Sequence, residues 1–129
     1  MKAATCPGLH GDVLKAECPS RQILESLAEK WTLLVVHALM PQPLRTAELR
    51  RAVGGISEKM LIQTLRKLER NGFVARRAYP EVPPRVEYKL TELGSSLAGM
   101  VLLLDTWVES NFARVQEAQT VFDEQRSPG

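Results

Sequence analysis

The apolar side chains of this sequence recur with two different periods, and the change of period marks out its elements. Ile23, Leu24, Leu27 and Ala28 repeat at helical spacing behind Cys18-Pro19-Ser20, where Ser20 is placed to cap a helix start. Residues 31–40 carry Trp31, Leu33, Leu34, Val35, Val36, Ala38, Leu39 and Met40, apolar on every side. That pattern predicts a helix buried at the centre of a domain, ended by Pro41 and Pro43. A short helix is predicted around residues 46–53, with Leu49 and Val53 inward and Gly54-Gly55 as its stop. Ser57 then caps a longer helix through about Asn71, where Asn71-Gly72 ends it. Leu61, Leu65 and Leu68 stand at i, i+4 and i+7 and form its buried stripe. At about 100° per residue, Lys59, Gln63, Arg66 and Arg70 fall on the opposite side, which is polar and cationic.

From residue 73 the period drops to two. Phe73, Ala75, Arg77 and Tyr79 alternate with Val74, Arg76 and Ala78, and Val86, Tyr88 and Leu90 alternate with Arg85, Glu87 and Lys89. Between these runs Pro80-Glu81-Val82-Pro83-Pro84 forbids regular strand, so the pair is a hairpin with a stiff, proline-braced tip. A long helix, whole or in two pieces, follows from Thr91 to about Arg126. Leu93, Leu97, Met100, Val101, Leu103, Leu104, Trp107, Val108, Phe112 and Val115 cover more than one stripe of it. A small domain has too little core to bury all of them, at roughly 1.5–3 kcal/mol for each large side chain. A second copy of the chain is the favoured cover; the alternative is a helix folded back on its own core. The fold class is thus mainly α with a small β-hairpin. An N-terminal arm with one short turn spans residues 1–17, the central helices and hairpin 18–90, and a C-terminal dimerisation helix 91–129.

A length of 129 residues leaves room for one domain. No apolar run approaches the roughly 20 residues of a membrane span, and residues 1–7 lack the apolar stretch of a signal peptide. The expected location is the cytoplasm, with no membrane partner. Two cysteines, Cys6 and Cys18, make no disulfide framework, and a reducing compartment would keep both as thiols. With only His10 and His37 beside them they do not supply a four-ligand zinc site either, so no metal or cofactor is expected. No Ser/His/Asp or Cys/His grouping and no Gly-rich phosphate loop occurs, which argues against an enzyme.

The net charge of +2 is small, but it is unevenly spread. Residues 1–44 are neutral, residues 45–89 hold eleven bases against five acids, and residues 90–129 carry four more acids than bases. A basic middle between neutral and acidic flanks points to one segment that meets a polyanion. The element order, with a short helix, a tight Gly turn, a polar-faced helix, a hairpin and a long helix, is that of a winged helix-turn-helix. Its physics suits duplex DNA, whose major groove, about 12 Å wide, accepts one helix. That helix begins at Ser57, which with nearby backbone N–H groups is placed to hold a phosphate. Lys59, Gln63 and Arg66 have the length to reach base edges. Lys67, nearer the flank, is assigned to the DNA backbone, and Arg77 and Arg85, near the hairpin tip, to a neighbouring minor groove or its phosphates. Glu58 runs against this placement and is assigned to the helix dipole.

The chain resembles the HxlR family of bacterial regulators, relatives of the MarR type. The resemblance rests on Cys18-Pro19, Lys30-Trp31-Thr32-Leu33-Leu34, Glu48-Leu49-Arg50-Arg51 and Gly55-Ile56-Ser57-Glu58-Lys59-Met60-Leu61. It continues through Leu65-Arg66-Lys67-Leu68-Glu69-Arg70-Asn71-Gly72, the Pro-Pro wing with Val86-Glu87-Tyr88, and Leu90-Thr91-Glu92-Leu93-Gly94. It implies a homodimeric, sequence-specific transcriptional regulator. Thr46-Ala47 replaces the usual Phe-Asn, and Ile62 stands where a small hydroxyl residue is common, which bears on the operator more than on the fold. Several members of that family sense quinones, aldehydes or oxidants through a cysteine at the Cys-Pro position, which implies redox sensing by Cys18. A thiol ahead of a helix N-terminus has its thiolate favoured, with Cys6 a candidate to resolve a sulfenate. The expected function is a repressor released by oxidants or electrophiles acting on Cys18. Two alternatives stand beside it: the same DNA-binding role gated by a noncovalent aromatic ligand at the dimer interface, and a winged helix used for protein contact.

Overall fold

Pro19 at the first helical position opens α1 (Pro19–Leu27), because its fixed φ is already helical and its missing N–H would have no partner there. Cys18, with extended backbone, is therefore the N-cap, and not Ser20 as the hydroxyl suggested. The computed structural model describes residues 13–126. Most of the arm, with Cys6 and His10, lies outside the described residues, and residues 13–17 form turns and a bend.

α2 (Thr32–Leu39) buries Thr32, Val35, Val36 and Leu39 but not its whole circumference. Leu34 and His37 on the same helix are exposed, so the apolar-all-round pattern overstates its burial in the single chain. β1 (Leu44–Arg45), which no periodicity announced, is two residues long and leads directly into α3 (Thr46–Ala52). The Arg45 N–H donates to the Glu48 carboxylate at 2.8 Å, satisfying one orphan donor of α3's first turn. Gly55, at φ +86°, turns the chain into α4 (Glu58–Arg70) through a left-handed conformation that favours glycine. Ser57 caps α4 as its sequence position predicts, its Oγ accepting the Met60 N–H at 3.1 Å. Leu61, Leu65 and Leu68 are buried, and Thr64 joins them by donating its hydroxyl to the Met60 carbonyl.

β2 (Val74–Tyr79) and β3 (Arg85–Leu90) form the hairpin, and β1 pairs antiparallel with the outer side of β3, giving the order β1-β3-β2. The register sets Val74, Arg76 and Ala78 opposite Leu90, Tyr88 and Val86, with Leu44 beside Tyr88. Leu44, Val74 and Tyr88 on that face are buried in the core. Arg45, Arg77, Tyr79, Arg85, Glu87 and Lys89 share the other face, as the two-residue alternation of the hairpin predicts.

α5 (Glu92–Arg126) runs unbroken for 35 residues. Thr91 fastens its start: the hydroxyl donates to the Gly72 carbonyl and accepts the Gly94 N–H, while the Thr91 N–H donates to the Phe73 carbonyl. A Cβ on Gly94 would stand 1.9 Å from the Phe73 carbonyl oxygen, so the close approach of α5 to the residue just before β2 depends on glycine there. Of the whole helix only Gly94, Ala98 and Val101 are buried.

Candidate nucleic-acid interface

α3, the turn at Gly54-Gly55 and α4 make a helix-turn-helix held together from beneath. Leu49, Val53, Ile56, Leu61 and Leu65 meet in one core cluster with Val35 and Val36 of α2. Because one side of α4 is committed to that core, the other is fixed toward solvent. Lys59, Gln63, Arg66 and Arg70 are all exposed along it, and among the described residues none of the three cations has an ion-pair partner. Ser57 lies at the N-terminal end of this face, with its Oγ engaged in the cap. The exposed faces of Lys59, Gln63 and Arg66 follow directly from the three-leucine stripe: where leucines are buried, positions half a turn away must emerge.

Lys67 and Arg85 are held differently. The Lys67 ammonium sits 2.7 Å from the Glu29 carboxylate, so it is turned toward the segment joining α1 and α2. Arg85 stacks over the Tyr79 ring at 3.8 Å and lies 3.3 Å from the Glu81 carboxylate. Its Nε is enclosed and without a hydrogen-bond partner. Arg77 also lies over the same ring at 4.9 Å while remaining exposed, and the Tyr79 hydroxyl donates to Glu87 across the hairpin at 3.2 Å. Tyr79 thus organises the wing, with one arginine used as a brace and one presented to solvent. The tip itself presents Val82, fully exposed between Glu81 and Pro83.

Other exposed bases belong to the same region and were not singled out by periodicity. Arg45 and Lys89 share the outer face of the sheet with Arg77, and Arg50 and Arg51 are exposed on α3. Arg45 had no readable signal, because its place on the sheet depends on a two-residue strand.

Cys18 differs from the resting thiol foreseen. It is almost fully buried and disulfide-bonded. A count of two cysteines excludes a framework of bridges but not a single bridge, for which one partner suffices. Cys6, the sequence's other cysteine, lies outside the described residues.

The geometry has a match among known proteins. The family model described as HxlR-like helix-turn-helix matches residues 26–116, which takes in α2 through most of α5. The chain belongs to the HxlR-like helix-turn-helix family. It is 45% identical over 105 residues to the uncharacterised HTH-type transcriptional regulator YtfH of Escherichia coli (strain K12), covering 81% of this chain and 83% of that one. A solved structure from Salmonella typhimurium, described as a transcriptional regulator, ytfH, superposes with a TM-score of 0.79 at 42% identity, covering 85% of this chain and 98% of that one. The redox regulator HypR in its reduced form superposes with a TM-score of 0.71 at 36% identity, over 77% of this chain and 98% of that one. The protein is a helix-turn-helix transcriptional regulator, of a family that does not consist of enzymes. Among the described residues no helix is long and apolar enough to cross a membrane.

Proposed function

We propose that the protein is a homodimeric, sequence-specific DNA-binding regulator that presents α4 twice to an operator. One observation carries this reading: Lys59, Gln63 and Arg66 emerge together from a helix whose opposite side is wholly buried. In this reading α4 enters the major groove, Ser57 and the first-turn amides meet a phosphate, and Lys59, Gln63 and Arg66 reach base edges. Arg77 is the wing's contact with DNA. Arg85 shapes the wing through Tyr79 and Glu81, and Lys67 is a secondary backbone contact that must leave Glu29 to act.

The second copy is supported by α5. Met100, Leu103 and Trp107 lie along one side of it and are each more than half exposed. Large apolar side chains at that exposure are unusual on a monomer and are stabilised by mutual burial. The test of the DNA reading is fluorescence anisotropy with nonspecific and operator-containing duplex at rising salt. Binding that weakens steeply with salt supports it; a protein that ignores duplex at low salt refutes it and favours a protein-contact module.

We further propose that the chain is a repressor and that Cys18 is its redox-sensitive group, the disulfide being the oxidised state and Cys6 the partner thiol. The support is the placement of Cys18 at the N-cap of α1, the disulfide at that residue, and the likeness to HypR, a redox regulator solved in both reduced and oxidised forms. In the reduced protein the helix N-terminus favours the thiolate, while burial in the core opposes it. Operator binding of wild type, Cys18→Ser and Cys6→Ser, with and without diamide, tests the proposal. Oxidant-induced release confined to the wild type supports it. Equal release of all three proteins refutes it.

A further inference from the structure

The single chain has a groove of about 580 Å³ between α2, the turn after α3, and α5. That is the size of sites that take drug-sized molecules, roughly 300–1,000 Å³. Leu34, Ala38 and Val108 supply apolar walls, and the polar groups among the lining residues are few: His37, Asp105 and Glu109. His37 Nδ1 lies 2.7 Å from Asp105 Oδ2. The two atoms are close but make no aligned hydrogen bond, and that carboxylate oxygen is enclosed. With both carboxylates ionised the groove holds two negative charges, and even a protonated His37 leaves one of them uncompensated. Among the described residues no arginine or lysine lines it.

The charge set decides the class of occupant. An aromatic carboxylate would enter beside two acids with no arginine or lysine among the lining residues to receive it. A bare metal ion is disfavoured too, because among the described residues no three His, Cys, Asp or Glu side chains converge closely enough to hold one. A second copy of the chain is a poor fit for a separate reason. At about 100° per residue, Leu103, Trp107 and Met100 lie on the side of α5 opposite to Asp105 and Glu109. Two copies paired through those three residues leave the groove open. We propose that the groove binds a lipophilic cation, its apolar body against Leu34, Ala38 and Val108 and its positive charge beside Asp105 and Glu109. The proposal goes beyond DNA binding and is independent of the thiol chemistry of Cys18, since its readout is binding to the protein alone.

Tetraphenylphosphonium and tetraphenylborate share one shape and carry opposite charges, so the pair isolates electrostatics from greasiness. Isothermal titration of the full chain should show one saturable tetraphenylphosphonium site per chain, at least about tenfold tighter than any tetraphenylborate binding. Glu109→Gln should weaken the cation about threefold to tenfold and leave the borate unchanged or improved, and Asp105→Asn should act in the same direction. Glu109 is exposed, so its variant keeps the fold whether or not Asp105→Asn does. Equal affinity for the two ions, unsaturable binding, or indifference to Glu109→Gln would overturn the proposal. So would an absence of cation binding to the dimer, which would place the partner's surface in the groove.

Discussion

Salt dependence separates the cations that face a duplex from those that the fold keeps for itself. Each protomer presents Lys59, Arg66, Arg70 and Arg77 with no ion-pair partner among the described residues. A dimer thus offers about eight such charges, and with about 0.9 counterion displaced by each cation brought into the groove or onto a phosphate the log–log slope is near −7. Raising salt from about 50 to 200 mM should then reduce affinity by roughly 10⁴-fold. Lys59→Ala, counted twice in the dimer, should make the slope shallower by about 1.8.

Lys67→Ala should behave otherwise, although Lys67 lies on the same helix. Its ammonium is held 2.7 Å from Glu29. An exposed pair of this kind is weak, about 0–1 kcal/mol, so moving Lys67 to a phosphate is affordable energetically. The transfer nevertheless leaves a bare Glu29 carboxylate that recruits a cation from solution. Counterions released and taken up then nearly cancel, and the slope should shift by less than about 0.5. Anisotropy titrations on one duplex at five or six salt concentrations give both slopes directly. A Lys67→Ala slope reduced as much as that of Lys59→Ala would refute the assignment.

Other substitutions test the scaffold. Leu65→Ala should cost about 2–5 kcal/mol by emptying a fully buried site, whereas the adjacent Arg66→Ala should leave thermal stability within about 0.5 kcal/mol and act on DNA affinity alone. Gly94→Ala should cost about 2–4 kcal/mol, because the added methyl meets the Phe73 carbonyl and rigid backbone has to move; a melting temperature equal to wild type would show that α5 is less tightly seated. Leu103→Glu with Trp107→Glu should halve the mass seen by analytical ultracentrifugation while preserving helical circular dichroism, since both side chains are exposed in the single chain. An unchanged mass would move the dimer interface elsewhere.

What was legible in the sequence was whatever repeats. The leucines of α4 and the alternation of the two long strands extend over enough residues for their periods to show, and burial followed them. β1 was invisible because two residues carry no period; it exists only where Leu44 finds Tyr88 and Arg45 finds Glu87 across β3. The N-cap of α1 was misplaced because two start signals overlapped. Ser20 offered a hydroxyl, but Pro19 fixed the first helical residue two positions earlier than that hydroxyl requires. The pairing of Lys67 with Glu29 joins residues 38 positions apart, and no helical wheel contains it.

The same limits explain why α2 looked more deeply buried in sequence than it is in the chain, and why the apolar positions of α5 called for a cover that the single chain does not supply. Periodicity reports which side chains avoid water and is silent about what covers them. Leu34 on α2, and Met100, Leu103 and Trp107 on α5, are apolar positions exposed in one copy, yet they divide into two sets. The α5 set is a continuous stripe with no charge inside it, a surface suited to its own duplicate. Leu34 lies in a groove with His37, Asp105 and Glu109, where an identical negatively charged surface would be repelled and a lipophilic cation would not. Exposed apolar surface in this fold therefore has two chemically different destinations, and the carboxylates separate them.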